Sequence, residues 1–193
     1  MGIDFQKGNK VIFVDGLGEK TGIRDGEIEV VEKEITAAIA NAKAQGCRVQ
    51  LVLDGLDFLL AATSTGTMEM LDMVYELREV ESPFSDETFV KQAADDILQQ
   101  HVHATIVTAS ADYPLMQARN TPLEVDHAAF VMGLAHQASV IMGLRGLDTG
   151  VARDVSGVLR ITRGGDDRDE VEEKEILYFV GGDGSVRVFE RGA

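Results

Sequence analysis

Two apolar runs that end in Asp-Gly, VIFVDGL at residues 11–17 and LVLDGL at residues 51–56, constrain this chain more than any other feature. A short run with no polar alternation has no solvent side, so it reads as a strand covered on both faces, as in parallel sheets. Between the two, EIEVVEKEITAAIANAKAQG sets Val31, Ile35, Ile39 and Ala42 at helical spacing and supplies Gly46 to end the helix. Strand, helix, strand is the signature of an α/β fold.

The alternation continues. RVQLVLDG is the second strand, and MEMLDMVYELREV is a helix with Met68, Leu71, Tyr75 and Leu77 near one side. This methionine-rich stripe reads as core, with a partner groove as the alternative. SPFSDETFVKQAADDILQQ has the fullest set of helix signals: Ser85 as N-cap, Asp86 and Glu87 at the positive end, and Phe84 stapling to Phe89. HATIVTAS is a third strand. TPLEVDHAAFVMGLAHQ opens with a capping box from Thr121 to Glu124, with Pro122 at the first helical position, and SVIMGL follows as a fourth strand. Then helices stop. GVLRITR, EILYFV and SVRVF are strands, joined by an acidic connection at 164–174 and a GGDG hairpin turn at 181–184. The expected architecture is a mainly parallel sheet flanked by helices, extended by a C-terminal antiparallel β meander, in one domain over residues 1–193.

The first run leads into GLGEKTG, which has the look of a phosphate-binding loop. The spacing excludes it, because Glu19 separates Gly18 from Lys20 and puts a negative charge where phosphate would sit. A net charge of −15 repels nucleic-acid backbones, so RNA contact would need basic partners or a local basic patch. The longest apolar run, AAFVMGLA at 128–135, is too short to span a membrane, and MGIDFQKGNK has neither a signal peptide's apolar stretch nor a good myristoylation pattern. The single cysteine, Cys47, excludes an internal disulfide and reads as a small buried or half-buried residue at a strand start.

Candidate chemistry is sparse. Asp15 and Asp54 close the two echoing runs, where open α/β sheets place their ligands. They read either as a Mg²⁺ pair, with Asp54 in a Walker-B-like setting, or as residues that cap the turn after each strand. The histidines, His101, His103, His127 and His136, form no zinc spacing; His127 shares a helical face with Leu123, Phe130 and Leu134 and reads as a hydrogen-bonded core-edge residue. No serine-hydrolase elbow is present. The acidic loop at 166–173 lacks calcium-loop spacing and reads as solvated. Arg145, Arg153, Arg160 and Arg163 fall in one stretch, as an anion-binding rim or as ordinary surface pairing. Arg160 and Arg163 should face opposite sides of a strand.

In the same stretch, Gly133, Leu134, His136 and Gln137 precede an apolar strand. Gly146, Leu147, Thr149, Gly150, Asp154, Val155, Gly157 and Leu159 follow it. This order resembles the Elongator complex protein 6 family, and VQLVLDGLDFLL resembles that family's Walker-B-like strand. The resemblance implies a RecA-like fold with no working P-loop, no cofactor and no catalytic residues. It implies a non-catalytic scaffold in a hetero-hexameric ring with the sister Elongator proteins 4 and 5. That ring binds tRNA and supports wobble-uridine modification, while the radical chemistry belongs to another subunit. The location implied is cytoplasmic, with the nucleus as a second. The stretch Arg145 to Arg163 becomes the expected contact rim. Relative to the family the chain starts late, which implies poor stability alone. The sister protein 5 is a further alternative, and the rival from a different class is a Mg²⁺-dependent nucleotide hydrolase using Asp15 and Asp54.

Overall fold

The structure, a computed structural model, describes residues 11–16, 28–78, 102–117, 120–147, 150, 152–166 and 171–190. The chain divides into two compact units, one of Ile12–Met132 and one that includes Gly133–Ala193.

The first unit begins with α1, Ile28–Ala44, whose buried residues Ile28, Val31, Ile35 and Ile39 repeat every three to four positions. Gly46 ends it as expected. Its φ of 71° is open to glycine, and the amides of Gly46 and Cys47 return to the carbonyls of Lys43 and Ala42 at 2.8 and 3.1 Å. This paired closure satisfies carbonyls that the helix end would leave open. Strand β1, Gln50–Leu53, pairs in parallel with β2, Ala104–Val107, in the register Leu53 to Val107. Two short helices, α2 at Leu56–Ala62 and α4 at Tyr113–Gln117, follow the ends of β1 and β2. Neither is among the sequence expectations, since each is too short to show a period.

Helix α3, Thr67–Arg78, packs on α1 and buries Met70, Leu71, Met73, Val74 and Leu77. The expected stripe is rotated. Met68 and Tyr75 are exposed, because the buried face follows Met70, Val74 and Leu77 at four- and three-residue steps. The stripe is core, as read, but its methionines are Met70 and Met73. Helix α5, Pro122–Gln137, opens with the expected capping box: the Glu124 amide donates to the Thr121 hydroxyl, and the Glu124 carboxylate accepts from the amides of Thr121 and Asn120. Phe130 on this helix is fully buried.

The second unit holds a four-stranded sheet, β3 (Val140–Arg145), β4 (Gly157–Arg163), β5 (Lys174–Val180) and β6 (Val186–Glu190), each antiparallel to the next. The turn at 181–184 forms as expected, with the Gly181 amide on the Ser185 carbonyl and Gly184 at a φ of 77°.

The fold is mixed α/β. Two expectations about its sheets are corrected. First, SVIMGL does not join the parallel strands. It is β3, the first strand of a four-stranded antiparallel sheet, because β4 runs back along it and takes its hydrogen bonds. Second, Val11–Asp15 forms no ladder with a described strand, so the described parallel sheet has two strands rather than a majority. The expected helix in SPFSDETFVKQAADDILQQ and the GLGEKTG stretch lie outside the described residues.

Candidate functional site

The carboxyl ends of β1 and β2 carry a connected set of polar groups. β1 ends at Leu53, and Gly55, with a φ of 69°, turns the chain into α2. The Gly55 amide donates to the Thr108 hydroxyl oxygen at 3.0 Å, and that hydroxyl donates to the Asp54 carboxylate. One turn further, Asp57 of α2 accepts from the Ser110 amide at 3.2 Å. The Ser110 carbonyl accepts from His127 Nε2 of α5 at 2.9 Å. A carbonyl only accepts, so His127 carries its proton on Nε2. The loop after β2 is thus tied on one side to α2 and on the other to α5.

This arrangement decides how several candidates are used. Asp54 is engaged by a side chain across the sheet end rather than by its own turn. Asp15 is exposed and lies outside any described strand. Among the described residues, no group of three or more His, Cys, Asp or Glu side chains is placed to hold a metal ion. His127 is the half-buried, hydrogen-bonded residue its face suggested, although Leu123 on that face is exposed. His103 and His136 are exposed. Cys47 is also exposed, which corrects its reading as buried or half-buried: it follows the α1 cap in a loop before β1, with its thiol 4.0 Å from the Gln45 carbonyl.

The arginine stretch spreads over β3, β4 and the loop between them. Pairing of Arg145 with Val158 and of Gly143 with Arg160 puts Arg145 and Arg160 on one face. Arg163, opposite Val140, is on the other face, as its odd spacing from Arg160 requires. Arg153 is exposed in the loop. Acidic partners sit among them. Arg145 pairs with Glu175 at 3.4 Å, Arg160 lies directly across from Glu175 in register, and the Arg163 amide donates to Glu173 at 2.9 Å. A shallow groove runs along Arg160, Ile161, Thr162, Glu173, Lys174 and Glu175. Its charges nearly balance, so the stretch forms two mixed patches rather than one cationic rim. Residues 167–170 of the acidic connection lie outside the described residues.

No protein-family model matches the chain, and no curated protein does.

The feature that residue-by-residue reading missed is an apolar sheet face. The registers of β3 to β6 put Val140, Met142, Leu144, Val180, Val186 and Val188 on the face that also carries Arg163, and these six are between 39% and 69% exposed. Its charged residues, Arg163, Lys174 and Glu190, sit near strand ends. Each strand shows an alternating apolar set, but only the pairing reveals that the sets share one face. Among the described residues, no helix is long and apolar enough to cross a membrane.

Proposed function

We propose that this chain is a non-catalytic scaffold subunit of the Elongator type. It completes its surface by joining the sister proteins 4 and 5 in a hetero-hexameric, RecA-like ring that binds tRNA and supports wobble-uridine modification. The single observation that carries a scaffold role is the uncovered apolar face of the β3–β6 sheet. A contiguous apolar face of this kind marks an assembly surface, since covering it gains about 25 cal/mol per Å². The Elongator identity rests on the positions from Gly133 to Leu159 that follow the family pattern. In this reading the mainly parallel RecA-like sheet is completed in the assembled subunit, and the negative charge of the chain is offset by basic sister subunits that hold the RNA. The mixed arginine patches then serve protein contacts before RNA contacts.

Co-expression with the two sister subunits tests the proposal. The expected result is a complex with two copies of each chain. Replacing Leu144 and Val188 by Glu is expected to release this subunit while leaving its circular dichroism unchanged. A chain that elutes as a well-behaved monomer beside both sisters would overturn the reading.

A further inference from the structure

β3 lies at one edge of the four-stranded sheet and, among the described strands, pairs only with β4. The Gly164 amide donates to the Ser139 carbonyl at 3.0 Å, one step beyond the pair of Val140 with Arg163. In an antiparallel ladder, hydrogen-bonded pairs alternate with pairs that exchange no bond. Ile141 and Gly143 therefore turn their backbone groups toward β4, while Val140, Met142 and Leu144 turn theirs outward. The same three residues carry exposed apolar side chains, at 39%, 66% and 69%. We infer that this edge binds a second copy of the chain, β3 against β3 in antiparallel sense, about a two-fold axis at Met142.

Three properties of the edge select a second copy as its occupant. The first is a self-complementary register. Centring the pair on Met142 sets Val140 opposite Leu144 of the second copy and Met142 opposite its own counterpart, each pair exchanging two backbone hydrogen bonds. The exposed apolar faces of the two sheets then run on into each other. Moving the centre by one residue brings Arg145 into the seam opposite Ile141, or Ser139 opposite Gly143.

The second is shape on the opposite face. In this register Ile141 falls opposite Gly143 of the second copy, in a pair without hydrogen bonds, where Cα atoms approach to about 4.5 Å. Gly143 has open space where a Cβ would stand, with nothing within 4 Å. The Ile141 side chain of each copy fills the gap over Gly143 of the other, once on either side of the axis.

The third is charge. Edges that are kept from pairing carry charged residues or proline. From Val140 to Leu144, β3 has neither, in a chain of net charge −15. The other edge of the sheet is guarded. There the Gly181 amide on the Ser185 carbonyl sets the parity, so Val186, Val188 and Glu190 of β6 face outward, and Glu190 and Arg187 bring charge to that edge. A two-fold pairing of β3 also closes at two copies, where a β3-to-β6 contact would propagate. The inference rests on the β3 edge and not on the Elongator reading, and it holds whether or not sister subunits bind.

Sedimentation of the full chain, without sister subunits, tests the pairing. The mass is expected to rise from that of one chain toward that of two between about 1 μM and 1 mM. The rise should come earlier at high salt, which screens the charge of −15 on each copy. Met142→Lys sets like charges across the axis and is expected to weaken the dimer about tenfold. Val188→Lys, at an exposed position on β6, should leave it intact. A monomer throughout that range, a dimer untouched by Met142→Lys, or equal loss in both variants would overturn the inference. Cross-linking reads the register. In a Cys47→Ser background, Met142→Cys brings two Cα atoms to about 5.5 Å, within disulfide reach, and oxidation is expected to join two chains. Leu144→Cys, as exposed as Met142, holds its thiols about 13 Å apart along the seam and should stay unlinked. Equal linking of both variants, or of neither, would overturn the pairing.

Discussion

The Thr108 hydroxyl bridges two groups at the end of β1, accepting from the Gly55 amide and donating to the Asp54 carboxylate. One side chain just beyond the neighbouring strand thus holds the turn that launches α2. Thr108→Val keeps the shape and removes both bonds. It is expected to cost about 1–2 kcal/mol, read as a lower denaturation midpoint with an unchanged slope. Asp54→Asn, which keeps an acceptor for the hydroxyl, should cost less. The reverse order would show that the charge of Asp54 matters more than the bridge.

The α5 capping box predicts a pH effect of defined sign. Glu124 is held below the usual carboxylate range, chiefly by the amides of Asn120 and Thr121. A depressed value means that its contribution is present above the unfolded-state pKa and is lost as pH falls through the folded value. Thr121→Ala removes the reciprocal half of the box and is expected to cost about 1 kcal/mol in thermal melts at neutral pH. Glu124→Gln should flatten the acid limb of the stability profile.

Glu32 on α1 predicts the opposite sign. Burial raises its carboxyl above the ordinary value, and the neighbouring Glu76 of α3 raises it further. The folded state therefore holds this proton more tightly than the unfolded chain does. The penalty is full above the folded pKa and vanishes below the unfolded one, so this group makes stability rise as pH falls through that window. Glu32→Gln should stabilise the chain at pH 7, by up to about 1 kcal/mol for a partly exposed like-charge pair. An unchanged or lowered melting temperature at pH 7 would contradict this.

Gly164 lies where the chain leaves β4 and passes the end of α5, its amide on the Ser139 carbonyl at 3.0 Å. A Cβ there would run into the carbonyl of Ala138, which is backbone and cannot swing aside. Gly164→Ala is expected to cost about 3 kcal/mol or more. Gly182, whose Cβ would meet nothing within 4 Å, serves as the tolerant control in the same melts.

Local signals survived folding well. Gly46 ended α1, Thr121 and Glu124 capped α5, and the 181–184 turn formed, because each depends on neighbours within a few residues. Signals that depend on distant partners did not. SVIMGL looked the same whether its neighbour was parallel or antiparallel, and only its pairing with β4 decided it. Apolar spacing in α3 was legible, but its phase was not, since Met68 and Met70 are alike in hydrophobicity and only the packing of the helix buries one and exposes the other. At the candidate site, Asp54 was visible as a strand-end carboxylate, whereas its tie to Thr108 spans more than fifty residues and leaves no pattern in sequence. The arginines were visible as well; the glutamates that balance them entered only with the β4–β5 register.

The order of the strands also sets a timetable. Every strand of the β3–β6 sheet pairs with its neighbour in the chain, so each hairpin closes a short loop. The β1–β2 pair must bring together segments separated by two helices and a long intervening stretch, and the entropy of that closure is met before any contact rewards it. On refolding from denaturant, the β3–β6 sheet should therefore acquire protected amides before the β1–β2 pair does. Pulse-labelled exchange would see this as early protection at Leu159 and Leu177 ahead of Val52 and Ile106.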